Sequence, residues 1–424
     1  MIGKAPRGMH DILPDEAERW QRLEARIRGF AARYGYREIR TPLVEHTEVF
    51  QRTVGETSDI VEKEMYTFSD RGGRSLSLRP EGTAGVMRAY LEHGMDAWPQ
   101  PVRLFYVGPM FRYDRPQKGR YRMHHQFGAE LIGAASPAAD VEVLSLPVRV
   151  MQSLGLAHVQ VRLNSVGDQT CRPAYLVTLR GYLDGRSSEL CAACQRRIQA
   201  NPLRVFDCKE AHCHEVAKSA PRMLDHLCAA CQVHLGEVKR LLGLLDIPYM
   251  EDPLIVRGLD YYTRTAAEVY SGRLGAQNAM LGSGRYDGLA EQLGGPPTPG
   301  VGFGQGLERF LLVLEAEGVA PEPPTPGGGL EIFAVAVGED AEREAFKLLD
   351  QLRVAGIGAT GELLGRSMRA QMKLADRLGV RYALILGEQE LALRRAAVRD
   401  MRTGVQEDIP LDNVVNHFTR VMKG

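Results

Sequence analysis

The chain has 424 residues, 44% hydrophobic and 25% charged, which is the composition of a soluble protein of about two to four domains at roughly 100–200 residues each. Its 53 Lys and Arg residues balance 53 Asp and Glu residues. That neutrality excludes a globally basic coat for nucleic acid and leaves room for a local basic patch.

Met1 to Gly8 contains no apolar leader, and no later run approaches the ~18 apolar residues of a membrane span, so a cytoplasmic protein without membrane contact is expected. Trp20, Leu23, Ile27, Phe30 and Tyr34 recur at spacings of three and four after Pro14-Asp15-Glu16. This predicts a long amphipathic helix whose stripe is core or subunit interface. Gly35 ends it, and Tyr36 to Thr41 reads as a short strand stopped by Pro42. Leu76 and Leu78 read as a strand, with Arg79-Pro80-Glu81-Gly82-Thr83 turning into a helix. Val102 to Met110 and His124 to Ile132 predict an antiparallel hairpin whose tip is the polar loop Arg112 to Arg122.

From about Asn164 to Met250 the pattern turns helical, and the segment holds all seven cysteines, from Cys171 to Cys231. It reads as an inserted module, bounded at about 168–235. Strands resume at Ala266 to Tyr270 and Gln277 to Leu281, then come a Gly-rich run and an apolar helix from Leu307 to Gly318. Residues 320–329, Ala-Pro-Glu-Pro-Pro-Thr-Pro-Gly-Gly-Gly, form a linker. Beyond it, Ile332 to Val337, Glu342 to Ala355, Ile357 to Gly361, Arg366 to Leu378 and Arg381 to Leu386 alternate strand and helix, a small α/β domain.

Five constellations carry chemistry. Arg112-Tyr113-Asp114-Arg115-Pro116-Gln117-Lys118-Gly119-Arg120-Tyr121-Arg122 sets five basic residues against one acid. A solvated tip is one reading, but guanidinium forks match phosphate oxygens, and nucleic-acid or phosphate contact is favoured. Gln126 and Glu130 fall on one face of the following strand, which is either solvated or a pocket floor. Arg257-Gly258-Leu259-Asp260-Tyr261-Tyr262 is dense in functional side chains, and Gly282-Ser283-Gly284-Arg285-Tyr286-Asp287-Gly288 is either functional or a Gly-rich turn. In Gly300-Val301-Gly302-Phe303-Gly304-Gln305-Gly306 the glycines alternate, unlike a dinucleotide fingerprint, so something packs close to that backbone.

Together these segments resemble the three signature motifs of class II aminoacyl-tRNA synthetases, and nearly the whole chain is similar to the histidyl-tRNA synthetase family. Tyr36 to Glu45 resembles motif 1, Val102 to Glu130 motif 2 and Gly300 to Arg309 motif 3. The Arg257–Tyr262 and Gly284–Asp287 segments resemble the histidine-specific motifs. The resemblance implies an α+β class II catalytic domain over 1–325, an antiparallel sheet flanked by helices and containing the helical insertion, and an α/β anticodon-binding domain over 330–424. It implies activation of L-histidine by ATP with Mg²⁺, transfer to tRNA(His), and a homodimer. By position, Glu81, Thr83 and Gln126 would hold the substrate amino group. Glu130 and Tyr262 would read the imidazole, with Gly82 and Tyr261 lining the pocket. Arg112 and Arg257 would flank the reacting carboxylate and α-phosphate as catalytic residues. Arg309 would clamp the ATP tail, and Arg115 and Gln117 would meet the tRNA acceptor end.

The chain departs from the family pattern at two places. Met123-His124 stands where Gln-Phe is usual, which puts a titratable ring, His124, against adenine. Ser283 replaces a glycine, which is harmless if its side chain points away from the pocket. Cys191-Ala192-Ala193-Cys194 and Cys228-Ala229-Ala230-Cys231, with Cys208, His212, Cys213 and His214 between them, satisfy the ligand demand of a structural zinc, but buried or free thiols are the favoured reading. The family's activity does not require zinc, and no metal ligand is assigned in the catalytic site. The alternatives are a catalytically silent paralogue regulating ATP phosphoribosyltransferase, which usually lacks the C-terminal domain retained here, and a non-enzymatic sensor.

Overall fold

The computed structural model describes residues 3–55, 58, 60–117, 119–156, 158–208, 210–256, 261–271, 279–319 and 329–423. Arg257 to Asp260, Lys118, Gln277 and most of the linker therefore lie outside the described residues. The chain divides into two compact units, Met1–Pro321 and Glu322–Gly424.

The first unit is built on an eight-stranded sheet. In chain order its strands are β1 (Arg37–Glu38), β5 (Val102–Phe111), β6 (Met123–Ile132), β7 (Val159–Ser165), β8 (Tyr249–Glu251), β9 (Thr263–Ser271), β10 (Ala279–Arg285) and β11 (Gly300–Gly306). A separate three-stranded sheet holds β2 (Val44–His46), β3 (Tyr66–Ser69) and β4 (Ser75–Leu78). The large sheet runs β1-β5-β6-β11-β10-β9-β7-β8, antiparallel throughout its middle, with β1 and β8 added parallel at the edges.

Strand alternation gives this sheet two different faces. Phe127, Ala129, Leu131, Val301 and Phe303 point to one, where they form a core with the helices Pro14–Arg33 and Pro137–Ser153. The expected stripe is spent there: Trp20, Leu23 and Ile27 are buried within this unit. The short strand after Gly35 is only Arg37–Glu38, narrower than the sequence suggested. The opposite face carries Leu104, Tyr106, Tyr261, Tyr262 and Tyr286 in a second cluster with the helix Thr83–Glu92.

Gly282 to Arg285 lies within β10, so the glycines there are strand residues and the turn reading is corrected. They stay extended because pairing on both sides supplies the backbone partners. The cysteine-bearing segment folds as the helices Arg172–Asp184, Ala192–Ala200, Ala211–Lys218 and Ala229–Leu244, the last running past residue 235 and sharing the core with Pro137–Ser153.

The second unit is a five-stranded mixed sheet. Its strands are β12 (Ile332–Ala336), β13 (Ala359–Gly361), β14 (Tyr382–Leu386), β15 (Arg395–Asp400) and β16 (Gln406–Pro410), in the order β13-β12-β14-β15-β16. The first three are parallel, joined by the helices Glu339–Val354 and Met368–Leu378. An antiparallel pair follows that the sequence pattern did not reveal.

Candidate functional site

The pocket face of the sheet is built around Glu130. In the ladder Glu130 sits between Leu104 of β5 and Gly302 of β11, fully buried. A carboxylate removed from water needs partners. Here three hydroxyls converge on it: Thr83 Oγ1 at 2.8 Å and Tyr106 OH at 3.3 Å donate to Oε1, and Tyr286 OH donates to Oε2 at 2.5 Å. Burial outweighs these donors and pushes its pKa up to about 8.

The close approach explains the alternating glycines. A Cβ on Gly302 would collide with the Glu130 carboxyl, and one on Gly300 with the Tyr286 ring. Those two glycines thus make room for the protein's own side chains. At the other end of the row, a Cβ on Gly304 would meet Gln126 at 3.6 Å, and nothing lies within 4 Å of one on Gly306. Room for a flat ligand on this strand is therefore at the Gly304–Gly306 end. Gly302→Ala is expected to destabilise the protein by about 1–3 kcal/mol through overpacking, and to weaken amino-acid binding by moving Glu130. Denaturant unfolding and substrate titration check the two effects.

Glu81 is held at the start of the helix Thr83–Glu92. Its carboxylate accepts from Thr83 N at 2.7 Å and Ala84 N at 2.9 Å, capping donors that helix geometry leaves without partners. Burial raises its pKa, while those two N–H groups and the Arg112 charge oppose the rise. Gly82 is where the Tyr106 ring passes the chain, and no Cβ would fit. The neighbouring Arg79 is a strut: it donates to Pro109 O and Thr41 O at 2.9 and 3.0 Å.

Gln126 and His124 share the Glu130 face of β6, with Gln126 Nε2 3.4 Å from His124 Nε2. Arg112, just beyond β5, donates from Nε to Pro80 O at 2.7 Å, which fixes the plane of its guanidinium. Among the described residues no carboxylate pairs with it. Arg309, in the first turn of the helix Leu307–Ala316, donates to Ala279 O at 2.6 Å.

Burial, and then the charges of Arg112, His125 and Arg309, push the His124 pKa down to about 3. The expectation of a titrating ring is therefore corrected: burial, helped by two arginines, keeps His124 a neutral aromatic surface at physiological pH. His125 points to the opposite face, bonded to Glu308 and edge-on to Trp20.

Tyr261 and Tyr262 precede β9 with ring centroids 4.7 Å apart, and Tyr261 meets Tyr286 at 5.9 Å. The Tyr262 ring covers Gly284, where no Cβ would fit. Ser283 lies on the other face and donates to Gly302 O at 2.9 Å, so it does not enter the pocket. Arg285 is wholly buried, paired with Asp140 at 2.5 Å and Asp287 at 2.9 Å. Within that motif it is Tyr286 that reaches the carboxylate.

The loop beyond β5 and β6 closes at Gln117 and Arg120, which exchange backbone hydrogen bonds of 3.1 and 2.8 Å. Its base is held by Arg122 N donating to Gly8 O and by Arg122 stacked 3.6 Å over Tyr113. The side chains of Arg115 and Gln117 are exposed at the tip. The structure thus brings Glu81, Gly82, Thr83, Gln126, Glu130, Tyr261 and Tyr262 to one face of the sheet, with Arg112 and Arg309 close to His124 beside them. Arg257 lies outside the described residues.

Sequence reading missed Tyr106 and Tyr286 as partners of Glu130. Tyr106 shares an even register with Glu130 on the neighbouring strand β5, whereas Tyr286 follows β10, two strands away, and only the strand order brings it close.

The chain as a whole has close likenesses among known proteins. The family described as Histidyl-tRNA synthetase matches residues 8–310, and the family described as Anticodon binding domain matches residues 331–420. The chain is 53% identical to a protein named Histidine--tRNA ligase from Desulforudis audaxviator over 424 residues, 100% of both chains. A protein of the same name from Moorella thermoacetica is 52% identical over 100% of this chain and 99% of its own length. The solved apo histidyl-tRNA synthetase of S. aureus superposes with a TM-score of 0.83 at 42% identity, covering 99% of this chain and 100% of that one.

Proposed function

Since the chain belongs to the histidyl-tRNA synthetase family and is an aminoacyl-tRNA synthetase that joins histidine to tRNA at the expense of ATP, we propose that the Glu130 pocket is where histidine is selected. The observation that carries this is the buried carboxyl ringed by Thr83, Tyr106 and Tyr286. An imidazole offers two ring nitrogens, and a site of buried polar groups leaves those groups unpaired when an apolar analogue enters.

Glu81, Thr83 and Gln126 hold the substrate amino group, Glu130 and Tyr262 read the ring, and Gly82 and Tyr261 line the pocket. The histidine carboxylate attacks the α-phosphorus of ATP, forming histidyl-adenylate and releasing pyrophosphate. The terminal ribose hydroxyl of tRNA(His) then displaces AMP. No side-chain nucleophile takes part; orientation and charge neutralisation do the work. Arg112 lies against the carboxylate and α-phosphate, with Arg257 assigned to the opposite side by its motif. His124 supplies a neutral ring for adenine, and Arg309 clamps the polyphosphate. Bound with ATP, Mg²⁺ would supply further charge neutralisation. Among the described residues the groups that converge as metal ligands are thiol-rich, unsuited to Mg²⁺, so no step is assigned to a protein-held Mg²⁺.

The wider reading is a catalytic domain over 1–325 with its insertion at about 168–235, an anticodon-binding domain over 330–424, a homodimer and a cytoplasmic location. No helix among the described residues is long and apolar enough to cross a membrane. The silent-paralogue alternative is disfavoured by the retained C-terminal domain and by the side chains gathered around Glu130.

Histidylation of tRNA(His) by the full chain tests this reading, with acceptance of labelled histidine expected and none from a folded sample contradicting it. Arg115→Ala is expected to leave adenylate formation intact and slow transfer to tRNA by about tenfold, the worth of one charge-assisted contact. Equal loss in both steps would refute the division of roles.

A further inference from the structure

The cysteines take no part in the pocket. In the folded chain the two C-x-x-C pairs do not converge on each other, which corrects the single-site grouping. The sulfurs of Cys191, Cys194, Cys208 and Cys213 lie within 4.8 Å of one another, and separately so do those of Cys171, Cys228 and Cys231 with a carboxylate oxygen of Asp168. His212 and His214 belong to neither set, and the seven cysteines of the chain are all used.

Distances distinguish a disulfide from a metal tetrahedron. Disulfide sulfurs sit about 2.05 Å apart; Cys191 and Cys208 are 3.9 Å apart, Cys171 and Cys231 are 3.8 Å apart, and all seven thiols are free. A tetrahedral Zn²⁺ with Zn–S of about 2.3 Å separates its sulfurs by about 3.8 Å, and a carboxylate oxygen at about 2.1 Å lies about 3.6 Å from them. Asp168 Oδ1 is 3.5 Å from the Cys171 sulfur and 3.8 Å from that of Cys228.

The backbone is arranged for thiolates as well. Cys194 N is aimed at the Cys191 sulfur at 3.4 Å, Cys191 N at that of Cys213 at 3.2 Å, and Asp168 N at that of Cys171 at 3.4 Å. Such donors orient and stabilise ligating sulfurs. Cys191 and Cys228 immediately precede the helices Ala192–Ala200 and Ala229–Leu244, so each pair presents both sulfurs from one helix start. The helices Ala192–Ala200 and Ala211–Lys218 are too short to persist alone, and a shared cross-link would hold them.

We propose that this chain binds two structural zinc ions, one held by Cys191, Cys194, Cys208 and Cys213 and the other by Asp168, Cys171, Cys228 and Cys231. The second site has a link to the pocket that the first lacks. Asp168 Oδ2 pairs with Arg264 at 3.3 Å, Arg264 N donates to Gly167 O at 2.7 Å, and Arg172 donates to Tyr262 O. The Asp168 site therefore braces the start of β9, two residues from Tyr262, whereas the Cys208 site secures only the insertion.

Metal analysis of the full chain, purified without chelator or metal-affinity resin, tests this. Two zinc ions per chain are expected, one in Cys208→Ser and one in Cys228→Ser. Cobalt exchanged into the wild type should give thiolate-to-metal charge transfer and a tetrahedral spectrum, half of which each variant loses. Cys228→Ser should raise the KM for histidine with little change in kcat, while Cys208→Ser leaves both unchanged. Should either variant fail to fold, thiol titration of the wild type decides: all seven cysteines protected until a strong chelator is added is the expected result. A folded wild type with fewer than two zinc ions and rapidly reacting thiols would overturn the proposal, as would iron in either site.

Discussion

Arg112→Ala is expected to lower histidine-dependent pyrophosphate exchange by about 10²–10³-fold, the usual cost of losing one preorganised group aimed at transition-state charge. The loss should fall mainly on kcat, because the charge that Arg112 meets is largest as the α-phosphorus is attacked. Its guanidinium is positioned in advance, with Nε committed to Pro80 O, near enough to His124 for its charge to act there. The His124 pKa, about 3, is depressed first by burial and then by charge, Arg112 foremost among the charges. Arg112→Lys should recover little activity, since an ammonium cannot reproduce a planar fork anchored through Nε. A loss smaller than about tenfold in the alanine variant would remove Arg112 from the reacting centre.

Glu130→Gln is expected to raise the KM for histidine by about 10–100-fold, because an amide can neither ionise nor offer two acceptor oxygens to the ring and the surrounding hydroxyls. The pH dependence separates this role from a packing role. Burial raises the Glu130 pKa to about 8 in the free protein, so kcat/KM for histidine should show a group titrating near that value, absent in the variant. Stability carries the same signature. The folded carboxyl binds its proton more tightly than the unfolded one, whose reference value is 4.5. The free energy of unfolding therefore falls as pH rises from about 4.5 to about 8 and levels off above that. Glu130→Gln removes this slope. Urea unfolding at several pH values reads it, and an identical slope in both proteins would place the titration elsewhere.

Much of this was legible where the pattern was local. The spacing of Trp20, Leu23 and Ile27 announced the helix Pro14–Arg33, and period-two alternation announced β5 and β6 with Gln126 and Glu130 on one face. The helix Pro137–Ser153 was not legible, because it is buried nearly all round and so shows no polar face against which a stripe could stand out. β15 and β16 were missed for the opposite reason: charged residues interrupt a hairpin at the sheet edge. The partners of Glu130 come from β5, from the turn after β10 and from a helix start, and only the strand order joins them. The cysteines show the same limit, since spacing revealed the pairs and the fold decided that Cys171 and Asp168 complete one set while Cys208 and Cys213 complete the other.

Amino-acid-dependent exchange of pyrophosphate into ATP, measured on the full chain with each of the common amino acids in turn, tests the assignment of the pocket most directly. Exchange with histidine alone, lost in the Arg112→Ala and Arg257→Ala variants, is the predicted result. Exchange driven by another amino acid, or none from folded protein supplied with histidine, ATP and Mg²⁺, would contradict it.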